Sequence, residues 1–314
     1  VMWSRRHDKT QRGVVVLGAP LDSEALYAGP DLMPQALRDA GLDAALRQAA
    51  VAVADLGDLD IHISDATRDP ATGIVGYRQV CAATEAIREG IPQLLDSPDV
   101  PLVLGGCCGI LGGIFAALRD RYGRAGLAFV DGHLDFYDST SSPEGALTDM
   151  ELAVLTGHGP RTLTAVAGEP PLLRPGDLWV LGFRDRWVMQ ERGAPDAFRA
   201  LPEAHFVDDT GVRRNGPAEV GRLVAGTLAL DPGGYWLHVD LDVLSPSAMP
   251  AVDDVVPGGL DWDELTALLR PLAADGALLG IDVAVYDPGL DPERRLAPRI
   301  VQLLADVLRS DEEG

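Results

Sequence analysis

AFVDGHLDFYD, residues 128–138, sets Asp131, His133 and Asp135 at every second position behind a short apolar run. Alternate side chains of an extended strand share a face, so the spacing predicts that all three converge at one strand's carboxyl end. A second stretch, YWLHVDLDVLSP at 235–246, repeats the device with His238, Asp240 and Asp242. Carboxylates held that close, away from water, repel by roughly several kcal/mol unless a cation or a proton neutralises them. Taken singly, each aspartate is also accounted for as a cap on the helix or turn that follows its strand. Two such stretches at matching strand ends point instead to a divalent-metal site.

Outward from these two stretches, short β-branched runs alternate with helical periodicity. Residues 14–17, 51–53, 102–104, 178–181 and 279–285 read as further strands. Helices are expected over about 31–40, 75–95, 218–229 and 298–308, and a capping box of Asp261 and Glu264 starts one whose apolar face is Leu265, Leu268, Leu269 and Leu272. Loops at the strand ends carry Asp22-Ser23-Glu24, Tyr27-Ala28-Gly29-Pro30, Gly105-Gly106-Cys107-Cys108 and Gly182-Phe183-Arg184-Asp185, while Gly157-His158-Gly159 follows a helical segment ending near Leu155. Such alternation predicts an α/β/α sandwich, a parallel sheet with helices on both faces, as a single domain over 13–314 behind an extension at 1–12. Ligands of such folds sit where the strands end.

Composition narrows the partners. With 26 basic against 48 acidic residues the net charge is −22, which disfavours nucleic acid and anionic membrane. Three cysteines, two of them adjacent, form neither a disulfide framework nor a zinc-ribbon spacing, so a reducing cytoplasm is the expected home. No apolar run approaches a membrane span, and VMWSRRHDKTQRG at 1–13 lacks a signal core. A small molecule is the expected substrate.

Together these residues resemble the ureohydrolase family of arginase, agmatinase and formimidoylglutamase. The likeness runs through LGAPLDSEALYAGPDLMPQALRDAGL (17–42), VLGGCCG (103–109), VDGHLD (130–135), TGHG (156–159), HVDLDVLSPSAMPAVDDVVPGGL (238–260) and GIDVAVYDP (280–288). The resemblance implies two manganese ions bridged by a hydroxide that attacks a guanidinium carbon and releases urea. It also implies a homo-oligomer, often a trimer or hexamer. By the same resemblance Asp131 and Asp240 are bridging carboxylates, Asp242 the bidentate neighbour of Asp240, His133 a ligand of one ion, and Asp135 a ligand of the other that also orients the hydroxide. His158 is implied as a proton shuttle. Oxygen-rich sites with a few imidazoles suit manganese, and paired divalent ions supply hydroxide near neutral pH.

Two departures from the family pattern matter. Cys108 stands where the family keeps the first ion's histidine, and a thiolate prefers zinc or iron. Three outcomes stay open there: Cys108 ligates a different metal, His238 substitutes, or one ion suffices. His238 also fits an outer role, orienting a carboxylate, and Cys108 fits a small buried residue. The family's guanidinium-holding glutamate is replaced by Val285, with Asp287 as a substitute or as a cap of the next turn. Ser245 and the Asp253-Asp254 pair further rebuild the wall. The first reading is therefore an amidinohydrolase cutting a C–N bond of a modified guanidino compound such as an N-hydroxyguanidine, with Asp287 or Asp253 contacting it. The alternatives are a mononuclear, deacetylase-like amide hydrolase using Asp131, His133 and Asp242, and a non-catalytic relative.

Overall fold

The computed structural model describes residues 13–25, 29–49, 52–232 and 234–309. The expected extension at 1–12, Tyr27 and Ala28 of the first loop, and Val51 lie outside these residues. Eight strands form one sheet: β1 Val14–Ala19, β2 Val53–Asp58, β3 Val100–Gly105, β4 Gly126–Val130, β5 Leu178–Leu181, β6 His205–Val207, β7 Tyr235–Asp240 and β8 Leu278–Ala284. Their order is β2-β1-β3-β8-β7-β4-β5-β6, and all the pairings are parallel. β1, β3, β4, β5 and β7 are buried along their whole length, as the apolar runs require when helices cover both faces.

Two cores flank the sheet. On one side Leu102, Leu237 and Val239 pack with Leu265 and Leu268 of the helix Trp262–Ala274 and Ile300 of the helix Ala297–Leu308. On the other Val103, Leu127 and Trp236 pack with Ile87 of Tyr77–Leu95 and Ile114 of Leu111–Tyr122. This is the three-layer α/β/α sandwich that the alternating pattern predicts.

The expected capping box is present. Asp261 accepts from the Glu264 N–H at 2.8 Å, and Glu264 accepts from the Asp261 N–H at 2.9 Å. Asp261→Ala is expected to lower the unfolding free energy by about 1 kcal/mol in a denaturant titration, because the Glu264 N–H loses its partner.

Two expected strands have other bounds, and one strand was not expected. The strand placed at 51–53 runs instead from Val53 to Asp58, an exposed edge strand whose Asp55 and Asp58 pair with Arg38. An edge strand pairs on one side only, and so tolerates this polar content. β6 escaped notice because it has three residues, too few to show a period. The second stretch, expected to carry Asp242 on the strand, leaves it at Asp240, whose carboxylate accepts the Asp242 N–H at 2.7 Å and starts a 3-10 turn, Leu241–Val243.

Strand order gathers the polar groups. β7 and β8 are inserted between β3 and β4, so Cys108, Val285, Asp240 and Asp131 all follow or end neighbouring central strands. Reversals of this kind leave a crevice at the strands' carboxyl ends.

Candidate metal centre

Register explains how β7 presents its polar groups. His238 pairs with Phe129 of β4 on one side and with Asp282 of β8 on the other. Its ring stacks on Phe129 at 4.8 Å between centroids, and its Nδ1 lies 2.6 Å from Asp282 Oδ2. Two residues earlier, Trp236 donates its Nε1–H to the other Asp282 oxygen at 2.6 Å. Two residues later comes Asp240, so the period-two reading holds for Trp236, His238 and Asp240.

In the first stretch it holds less far. β4 ends at Val130, and Asp131, His133 and Asp135 occupy the loop beyond. Asp131 stays in line with the sheet, its N–H donating to Leu181 O, and its Oδ1 accepts the His133 N–H at 2.6 Å. At Asp135 the backbone passes through φ 41°, a left-handed conformation uncommon outside glycine. Gly132 is required by contact: a Cβ there would strike the Arg184 guanidinium and the Asp242 carboxylate. Asp242 is fixed from several sides, its Oδ1 accepting the Gly132 N–H at 2.9 Å, its Oδ2 lying 2.7 Å from His133 Nδ1, and its backbone carbonyl accepting from Arg184 at 2.7 Å.

Two groups of potential ligands result. Cys108, Asp131, His238 and Asp240 form one, and Asp131, His133 and Asp242 the other, with ligand atoms within 4.8 Å of one another in each. All six residues are buried, and Asp131 belongs to both groups, so the two positions are adjacent. Asp135 is in neither group but close enough to act on their charge.

The electrostatics are those of acids in want of a cation. Burial, with neighbouring carboxylates adding, pushes Asp131 and Asp240 well above the usual range. Burial likewise raises Asp135, against the opposing pull of His133. Asp242 is the exception: burial works against its charge, yet His133 and the Gly132 N–H hold it at about 2. His133 is raised despite burial, by Asp242 first. Burial and Asp240 also raise the Cys108 thiol, which donates to Asp240 Oδ2 at 2.7 Å. Asp131 Oδ2 and His238 Nε2 are buried without a hydrogen-bond partner among the described residues, and they lie 3.9 Å apart. Orphaned lone pairs beside crowded acids fit a divalent ion.

A cavity of about 340 Å³ adjoins the centre. It is lined by Cys107 next to Cys108, by Val285 next to the end of β8, and by Asp254, whose carboxylate lies 3.9 Å from His133 Nε2. Asp22, Glu24, Glu144 and Asp149 line it from the first half of the chain, Asp253, Asp254 and Asp287 from the second, with Arg192 the single cation among the described residues that line it. Asp287 caps the turn after β8, its Oδ1 accepting the Gly289 N–H at 2.6 Å, and also lines the cavity. Val285 sits at φ 62°, an outlier for a β-branched residue. His158 is exposed, its Nδ1 3.3 Å from Thr156 Oγ1 and its ring 5.4 Å from that of the buried Phe136.

Several groups of this site were missed in the sequence. Glu144, Asp149 and Arg192 have no local signal, since only the fold brings them to the cavity. Asp282 and the fully buried Glu151, raised by burial and by Asp282, read as ordinary strand and helix residues.

The cavity acids carry a pH signature. Burial raises Glu24, and its hydrogen-bonded neighbour Asp253 adds, to about 9. Burial also raises Asp149, with Glu144 adding against Ser142, to about 6. Both lie above their ordinary values of 4.5 and 3.8, so the folded protein holds extra protons. Their stabilisation is complete below those values and is lost as pH rises through about 6 and then about 9. The denaturation midpoint of metal-free protein is therefore expected to fall between about pH 5 and pH 9, and Glu24→Gln to flatten the upper part of that fall.

A parallel α/β sheet with acids and imidazoles gathered at the ends of its central strands is the layout of a metal-dependent hydrolase. The chain belongs to the arginase family, whose model matches residues 12–309. Arginase from Bacillus caldovelox is 27% identical over 295 residues, covering 94% of this chain and 97% of that one. Its solved structure gives a TM-score of 0.82 at 26% identity, covering 96% and 99%. Arginase from Bacillus subtilis (strain 168) is 27% identical over 305 residues, covering 96% and 98%. Formimidoylglutamase from Bacillus subtilis subsp. subtilis str. 168, at 19% identity and TM-score 0.72, shares the fold. The protein is a divergent ureohydrolase-like enzyme, a metal-dependent hydrolase of carbon–nitrogen bonds.

Proposed function

We propose that this enzyme hydrolyses a modified guanidino compound of specialised metabolism, of the N-hydroxyguanidine type, at a two-ion centre with manganese in at least one position. The observation that carries this reading is the pair of ligand groups sharing Asp131 beside an acid-lined cavity whose wall has Val285 in place of a carboxylate. An N-hydroxyguanidine is less basic than a guanidinium. It has less need of a buried carboxylate, and its extra hydroxyl can donate to Asp287 or Asp253.

Bound divalent ions would supply Lewis acidity and lower the pKa of a shared water towards neutrality. Asp131, His133, Asp240 and Asp242 would hold them, with Cys108 or His238 completing one position. Asp135 accepts a hydrogen bond from the attacking water and so aims it at the guanidino carbon. Water adds there, the carbon–nitrogen bond to the tail breaks, and the departing amine takes up a proton by way of His158. Acids of the cavity hold a cationic substrate, and Val252, Val285 and Pro30 keep its reacting end out of bulk water.

The geometry also supports a second reading, because Asp131, His133 and Asp242 form a complete group by themselves. One ion per chain with amide cleavage would favour that deacetylase-like chemistry; two ions favour the first. Release of urea or hydroxyurea from a panel of guanidino and N-hydroxyguanidino compounds tests the proposal, and none released with any metal tried would count against it. We further take the enzyme to act in the cytoplasm as a homo-oligomer. Among the described residues no helix is long and apolar enough to cross a membrane.

A further inference from the structure

We propose that the two ion positions differ in metal: the one formed by Cys108, His238, Asp131 and Asp240 takes a thiophilic ion, zinc or iron(II), while the one at His133 and Asp242 keeps manganese. The inference rests on the two-ion reading and extends it to a mixed-metal centre.

His238 is the key to the first position. It is fully buried, and its Nδ1 faces Asp282, a carboxylate that also takes the Trp236 Nε1–H. A carboxylate accepts hydrogen bonds, so Nδ1 carries the hydrogen and Nε2 presents its lone pair. Among the described residues that lone pair has no hydrogen-bond partner, and it belongs to the group containing Cys108 and Asp240. Imidazoles that bind metals are characteristically oriented in this way by a carboxylate on the far nitrogen. Phe129, stacked on the ring, and the register pairing with Asp282 leave His238 little freedom to turn away.

Cys108 supplies the second soft donor. Its sulfur is buried, 2.7 Å from Asp240 Oδ2, and an ion bound there would displace the thiol proton to solvent. One sulfur, one nitrogen and two carboxylates form a four-donor set suited to tetrahedral zinc or iron(II). The other group has one imidazole and carboxylates, with Asp135 nearby, and is a harder set suited to manganese. The family's missing histidine is thus replaced by two residues acting together. Asp282 and Trp236 are positioning residues for His238.

Cobalt(II) added to metal-free full-length protein tests the assignment spectroscopically. A sulfur-to-cobalt charge-transfer band in the near ultraviolet is expected for wild type. Cys108→Ser should lose it, whereas Cys107→Ser should retain it. His238→Gln should shift the visible cobalt bands and leave the charge-transfer band in place. Equimolar manganese and zinc should load wild type with one of each, and Cys108→Ser should lose zinc selectivity while still binding manganese. Two cobalt ions bound without the band, or two manganese ions bound in the presence of zinc, would overturn the mixed-metal assignment and leave the two-ion hydrolase reading intact. No bound ion at all would overturn both.

Discussion

Asp131→Asn is expected to lower kcat/KM for the guanidino substrate by at least about 10³-fold, on the order of what losing a central electrostatic element costs. Asp131 is the residue common to both ligand groups, and the substitution keeps its shape. The acceptor for the His133 N–H survives as an amide oxygen, so the loop should keep its form. What disappears is the negative charge. Two stability measurements separate this from damage to the fold. Without metal the variant should be at least as stable as wild type, because a buried acid crowded by Asp135 and Asp242 has gone. With metal at about 100 times its Kd, wild type should gain about 2.7 kcal/mol per site, a gain the variant largely lacks. A variant that retains both the metal-dependent gain and turnover would show that Asp131 is not a ligand.

Val285→Glu is expected to move the substrate preference in the opposite sense. Val285 lines the cavity where the family resemblance places a guanidinium-holding glutamate. A carboxylate there should favour an unsubstituted guanidinium over an N-hydroxyguanidine by roughly 2 to 4 kcal/mol, the scale of a charge-assisted hydrogen bond out of bulk water. That corresponds to a relative gain in kcat/KM of roughly 30- to 700-fold. The backbone at φ 62° already holds a β-branched side chain, so glutamate adds no strain of that kind. Parallel assays of urea and hydroxyurea release read the preference. An unchanged ratio would mean that the reacting end of the substrate does not lie against this wall.

Much of the architecture was legible because it is written in local periods. His238 and Asp240 share a face through strand alternation, and Asp261 with Glu264 announced their helix start by spacing alone. The same reasoning failed where the chain leaves regular structure. Asp135 is placed by a left-handed residue and Asp242 by a 3-10 turn, and neither conformation follows from a period of two. Asp242 nonetheless lies 2.7 Å from His133, whereas Asp135 belongs to neither ligand group. The acidic wall was harder to see. Glu24, Asp149 and Asp253 come from three distant loops, and in the sequence they are indistinguishable from a solvated acidic surface. Only the strand order of the sheet, with β7 and β8 inserted between β3 and β4, brings them to one cavity. Cys108 was a visible anomaly from the start. That His238 and Asp282 face each other across β7 and β8 depends on a register no single strand encodes.

Calorimetric titration of metal-free protein with divalent ions, manganese and zinc together, tests most directly whether a cation neutralises the buried acids. Two ions per chain are expected for wild type, with proton release, and a loss of binding when Asp131, Asp240 or Asp242 is made neutral. Saturating concentrations that give no binding, or binding that is indifferent to all three substitutions, would contradict it: the buried acids would then be neutralised by protons and hydrogen bonds alone.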